Sequence, residues 1–209
     1  MQMTTEHRKQ TGAFYTPKMW ADKAVEYIRR VCPFLEEFVF YDPAAGEGAL
    51  LDALPATCEK YASTLEPEDV EILKSKGYKA WQFDFLRNDD NIFETAPDDG
   101  LLRSYQEGRL IVFTNPPFFK CPAESKTWYT RYTYPVTYDA TALFLMRIMY
   151  EVMPVLTCSF SKIDIYQAPQ LAAFRNEFNP MPRYIDGFIS PSMSWNLSGK
   201  FPIAFSIWL

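Results

Sequence analysis

The chain has 209 residues, 48% hydrophobic and 22% charged, a composition that supports one substantial core and excludes disordered or collagen-like polymers. Its cysteines, Cys32, Cys58, Cys121 and Cys158, form no C-x-x-C pair, and His7 is the single histidine. That pattern argues against a metal site and against imidazole-based catalysis, and fits the reduced thiols of a cytoplasmic protein. The formal net charge of −5 opposes tight duplex binding, which needs basic surface to displace counterions, so any DNA affinity calls for a local basic patch or another segment or subunit.

Residues 1–10 are polar and charged and are read as a flexible tail rather than a signal segment, and no later run approaches the roughly 18 apolar residues of a membrane span. From Pro17 to Val31, Trp20, Ala24, Tyr27, Ile28 and Val31 recur at helical spacing, which predicts an amphipathic helix stopping before Pro33. Phe38 to Tyr41 reads as a short strand, the stretch from Asp42 to Gly48 as a glycine turn, and Ala49 to Leu54 as a helix. A second strand is expected near Ala62 to Leu65, a helix from Glu68 to Lys76 with Gly77 as its stop, and a third strand from Tyr78 to Phe83. Arg109 to Phe113 predicts a fourth strand. Phe119 to Tyr138 has no periodicity and reads as a long loop. There the aromatics from Trp128 to Tyr134, interleaved with Arg131 near Lys126, suit either nucleic-acid contact or packing over the sheet. Ala140 to Met153 is the most apolar helix, followed by a strand at Val155 to Phe160, a helix at Gln170 to Phe178 and closing strands at Tyr184 to Ile189 and Phe201 to Leu209. Short apolar strands alternating with helices predict an α/β, Rossmann-like fold: a mostly parallel seven-stranded sheet covered on both faces.

In such sheets ligands bind beyond the carboxyl ends of the strands, at the topological switch point, and the distinctive polar residues fall at those ends. Gly46 and Gly48 allow a sharp turn and close backbone approach to a ligand, although a G-x-G alone also describes ordinary tight turns. Glu66 is placed to accept hydrogen bonds from both hydroxyls of a ribose; a solvated turn carboxylate beside Glu68 and Asp69 is the alternative. Asp84 is placed to accept from an adenine amino group with Phe83 or Phe85 against the ring, or else to cap its own loop. The sharpest signal is Asn115-Pro116-Pro117-Phe118 after an apolar strand, for which a rigid structural turn is the alternative. Two prolines stiffen the backbone and remove two N–H donors, leaving fixed carbonyl acceptors. The Asn115 side-chain oxygen and the Pro116 carbonyl can then hold both N–H bonds of an exocyclic amine, and Phe118 offers a flat surface for a base taken out of the stack.

These residues resemble the gamma arrangement of adenine-N6 DNA methyltransferases of type I and type IIG-like restriction-modification systems. Thr11 to Pro17 looks like the amino-terminal cofactor motif, Asp42 to Gly48 like the glycine motif and Asn115 to Phe118 like the catalytic tetrapeptide, in the gamma order. The resemblance implies S-adenosylmethionine as cofactor and methyl transfer to the N6 amino group of adenine in DNA, with Asn115, Pro116, Pro117 and Phe118 at the catalytic turn. It implies cofactor contacts from Tyr15, Thr16, Pro17, Asp42, Ala44, Gly46, Gly48, Glu66, Asp84, Phe85 and Asn115, and from Asp139, which a simple helix N-cap explains equally well. Trp195 is the candidate for a second aromatic against the flipped adenine, and no metal is expected. Glu47 departs from the small or hydroxyl residue usual at its position, which the loop tolerates if that side chain faces solvent. Residues 11–209 are expected to form the catalytic domain, without a target-recognition domain, so DNA recognition is expected to need a separate domain or specificity subunit. Methylation of RNA adenine or of a protein glutamine, and a catalytically silent cofactor- or DNA-binding scaffold, are the alternatives.

Overall fold

The computed structural model describes residues 16–121, 137–177, 183–195 and 201–209. Seven strands form one sheet: β1 (Val39–Asp42), β2 (Glu59–Thr64), β3 (Lys79–Gln82), β4 (Leu110–Thr114), β5 (Leu156–Lys162), β6 (Tyr184–Ser190) and β7 (Ile203–Trp208), in the order β3-β2-β1-β4-β5-β7-β6. β1 pairs in parallel with β2 and β4, as do β2 with β3 and β4 with β5, whereas β7 runs antiparallel to both β5 and β6. The expected mostly parallel seven-stranded α/β sheet is therefore what the chain adopts.

Strand alternation sorts the core onto two faces. Phe40, Ala62 and Ile111 point to one face, packed with Ala21, Ala24 and Ile28 of α1 (Lys18–Val31), Leu50 and Leu51 of α2 (Ala49–Asp52), and Val70 and Leu73 of α3 (Pro67–Ser75). Val39, Tyr41, Leu110 and Val112 point to the other. There they meet Ile92 of α4 (Ile92–Thr95), Leu101 of α5 (Gly100–Gln106) and α6 (Ala140–Arg147), all eight of whose residues are buried. Two further short helices, α7 (Asp164–Gln167) and α8 (Ala172–Glu177), follow β5. A sheet filled on both faces explains why its central strands read as continuous apolar runs.

Several boundaries differ from the sequence reading for visible reasons. The buried stripe of α1 is Ala21, Ala24, Val25 and Ile28, with Trp20, Tyr27 and Val31 flanking it, and Pro17 is the N-cap residue. β2 starts before Ala62 because Lys60 is buried along its apolar stem, its Nζ donating to the Leu54 carbonyl at 3.2 Å. The expected helix from Ala140 to Met153 changes at Ile148 to a π-helical turn, Ile148–Val152, which stops where Met153 adopts a left-handed conformation. No helix among the described residues is long and apolar enough to cross a membrane.

Candidate active site

β1 ends at Asp42 because Pro43 cannot extend the ladder and the carboxylate turns back on its own chain, Oδ1 accepting from the Ala44 N–H at 3.0 Å. The adjacent end of β4 supplies Thr114, fully buried, whose hydroxyl donates to the same Oδ1 at 2.7 Å. β1 and β4 are the pair at which strand order reverses, so Asp42 lies at the switch point and is 1% exposed. Burial pushes its carboxyl up to about 7, against the lowering effect of the Thr114 and Ala44 hydrogen bonds.

The turn after Asp42 is tied to β2 by the Ala45 N–H bond to the Ser63 carbonyl at 3.0 Å, and it closes on itself through Gly48 N to Ala45 O at 2.8 Å. Gly46 and Gly48 both have positive φ, 50° and 91°. At Gly48 a second need appears, because an added Cβ would lie 2.8 Å from Leu73 Cδ2 and 3.2 Å from Tyr78 Cε2. The missing side chain there serves packing against α3 and the approach to β3, a reason different from the close ligand approach expected from sequence. Glu47 is exposed and Ala44 half-buried.

Glu66 stands at the N-cap of α3 with extended backbone (φ −92°, ψ 124°), half-buried just past the end of β2. Asp84 follows β3, its Oδ1 accepting from the N–H groups of Leu86 at 3.1 Å and Arg87 at 3.0 Å. The loop-capping role is thus real for one oxygen, and among the described residues Oδ2 makes no hydrogen bond. Phe85 is 2% exposed, its ring centroid 4.8 Å from that of Phe144.

Beyond β4, Asn115 is half-buried and donates through Nδ2 to Thr16 Oγ1 at 3.1 Å, joining segments 99 residues apart in sequence. Pro116 is buried, Pro117 offers its carbonyl to the Thr141 hydroxyl at 3.0 Å, and Phe118 packs against the face that carries α1. Asp139 caps α6, Oδ1 accepting from the Ala142 N–H at 3.1 Å, and Oδ2 lies 3.9 Å from the Lys162 ammonium.

The structure therefore sets Asp42, Ala44, Gly46, Glu66, Asp84 and Asn115 at or just beyond the carboxyl ends of β1 to β4, with Thr16 bonded to the last. Trp195 is elsewhere: 4% exposed, its ring packed edge-on against Phe160 and its Nε1 donating to Ser190 Oγ at 2.9 Å, it is built into the core. Tyr15 and the aromatic loop with Lys126 and Arg131 lie outside the described residues. Among the described residues no group of three or more histidine, cysteine or acidic side chains is arranged to hold a metal.

Sequence reasoning missed Arg147. It is 1% exposed at the end of α6 and donates to the carbonyls of Phe85 (2.8 Å), Asn88 (2.8 Å) and Asp90 (3.0 Å), while Glu151 accepts from its Nε at 2.6 Å. A lone arginine in an apolar helix, four residues before a glutamate, was the available signal.

No protein-family model and no curated protein matches the sequence. Solved structures match its fold. A protein from Listeria monocytogenes assigned to the class I S-adenosylmethionine-dependent methyltransferases superposes with a TM-score of 0.67 at 11% identity, over 99% of this chain and 62% of that one. The methyltransferase subunit of a type I restriction-modification system from Streptococcus thermophilus gives 0.66 at 16% identity over 97% and 46%. The M protein of the type I restriction enzyme EcoKI gives 0.66 at 14% over 94% and 44%. The chain thus has the S-adenosylmethionine-dependent methyltransferase fold and spans between 44% and 62% of the length of these three structures.

Proposed function

We propose that this domain transfers the methyl group of S-adenosylmethionine to the exocyclic N6 amino group of adenine in DNA, as the catalytic part of a restriction-modification methylase. The observation that carries the reading is the Thr16–Asn115 hydrogen bond at 3.1 Å, which unites the amino-terminal segment with the Asn-Pro-Pro-Phe turn beside the switch point. The polar groups suit the cofactor: Glu66 to accept from the ribose hydroxyls, the Oδ2 of Asp84 to accept from the adenine amino group, and the turn from Asp42 through Ala44 and Gly46 to Gly48 for the amino-acid portion, with Thr16 and Pro17 alongside. Tyr15, Phe85 and Asp139 complete the proposed contacts.

The cofactor supplies an electrophilic methyl on a sulfonium; the protein's part is positioning and electrostatics. Asn115 Oδ1 and the Pro116 carbonyl accept the two N–H bonds of the target amine, which orients its lone pair and offsets the positive charge that grows on nitrogen during attack. Thr141 holds the Pro117 carbonyl and so fixes the turn from behind. Phe118 carries the base once it has left the stack. With the cofactor bound, the methyl would pass to nitrogen as the carbon–sulfur bond breaks, S-adenosylhomocysteine would leave, and the methylated amine would then give its proton to solvent. A recognition domain or specificity subunit supplies sequence choice, in keeping with the relatives that are subunits of type I systems.

The test is transfer of labelled methyl by the purified chain to DNA, RNA and protein, alongside calorimetric titration with S-adenosylmethionine. Label in DNA adenine supports the reading, and Asn115→Ala is expected to lower transfer about 100-fold or more while cofactor affinity changes little. Label only in RNA or protein refutes the substrate, and an Asn115→Ala variant with full activity refutes the mechanism.

A further inference from the structure

The proposed site has two halves, an adenine pocket on the turn after β3 and an amine-holding turn after β4, and one helix is bonded to both. At its start, α6 receives the Pro117 carbonyl on the Thr141 hydroxyl at 3.0 Å and gives the Ala140 N–H to the Phe119 carbonyl at 3.0 Å. At its end, Arg147 gathers the carbonyls of Phe85, Asn88 and Asp90 at 2.8 to 3.0 Å. We infer that α6 is the spacer that sets the cofactor's adenine against the target-amine turn, and that Arg147 is the positioning residue for Asp84 and Phe85. The inference rests on the cofactor reading above.

Local and distant bonds divide the work at this turn. Asp84 Oδ1 accepts from Leu86 and Arg87, bonds that lie within the turn and shape it without tying it to other elements. Arg147 fixes that turn to the body of the protein through main-chain carbonyls, and its guanidinium lies 4.8 Å from the Phe85 ring centroid and 5.1 Å from that of Phe83. Glu151 balances the buried charge at 2.6 Å and accepts the Ile92 N–H at 2.9 Å, tying the start of α4 to the same point. Several charge-assisted bonds from a planar fork are a geometry that lysine cannot reproduce. Where Asp84 Oδ2 stands, and hence how sharply it tells an amino group from a carbonyl on the purine, depends on Arg147.

The readout is ligand preference. Calorimetry on the full chain with S-adenosylhomocysteine and with S-inosylhomocysteine, which carries a carbonyl in place of the amino group, is expected to give the first at least about tenfold tighter binding. Asp84→Asn removes that preference. Arg147→Lys is expected to shrink it to about threefold or less, and Glu151→Gln to move it the same way by a smaller factor, with a melting curve confirming that each variant is folded. If Arg147→Lys does not fold, Glu151→Gln decides. Folded variants that keep the wild-type preference overturn the positioning role while the proposed reaction stands. A wild-type chain that binds neither ligand overturns both.

Discussion

Asp42 holds a buried carboxylate at the centre of the sheet, and such a group is costly unless something compensates it. Two hydrogen bonds to Oδ1 do so only in part, since its carboxyl is pushed to about 7 from an ordinary 3.8. A folded value above the unfolded one means that the native state binds the proton more tightly. The favourable contribution is present in full below about 4, is lost as pH rises through about 7, and is level above that. At pH 8 the ionised group therefore costs on the order of a few kcal/mol. Asp42→Asn keeps an acceptor for Thr114 and Ala44 without the charge. It is expected to raise the melting temperature at pH 8 by several degrees, with the gain shrinking towards pH 4.5, and to weaken S-adenosylmethionine binding at least about tenfold. Thermal melts at the two pH values and calorimetry check this, and a lower melting point at pH 8 would show that the charge is not the burden.

At the scale of elements, two glycines separate strain from packing. Gly77, just past the C-cap of α3, has φ +82° with nothing within 4 Å of an added Cβ, whereas Gly48, φ +91°, would press one on Leu73 and Tyr78. Gly77→Ala is expected to cost only the left-handed penalty, about 1 kcal/mol. Gly48→Ala adds the clash and is expected to cost at least about twice as much, roughly 5 °C or more in melting temperature for a domain of this size. Equal losses in denaturant unfolding would remove packing as the reason for Gly48. α1 was legible because its apolar residues carry one helical period, and the central strands because they are short continuous apolar runs bounded by turn residues. α4 and α5 were not: they have four and seven residues and sit in a stretch rich in Asn, Asp, Gly and Pro. The π-helical turn after α6 gave no signal because Ile148 to Val152 fits an α-helical pattern equally well. In the site, residues read from strand ends were found there, Asp42 and Asn115 foremost. Trp195 came from the resemblance, as a second aromatic for the flipped adenine, and lies in the core, and Arg147 escaped because three of its bonds go to main-chain carbonyls of a distant loop.

On the proposed function, the whole molecule carries a charge problem. Besides the net charge of −5, Lys18, Arg30, Lys76, Lys79, Arg103 and Arg109 each lie within salt-bridge reach of a carboxylate. Exposed pairs of this kind add little stability, yet each commits a cation that would otherwise be available to a phosphate. The proposed site can then work on duplex only if duplex is delivered to it, and each of the three solved structures extends beyond the part this chain matches. Fluorescence anisotropy with a labelled duplex at about 150 mM salt is expected to give the isolated chain a Kd weaker than roughly 1 μM. Methyl transfer is expected to rise as salt is lowered, and to gain far more from a fused or added basic recognition module than from a higher enzyme concentration. Nanomolar binding by the isolated chain at that salt would mean that it holds a basic surface of its own, and the need for a recognition partner would fall with that result.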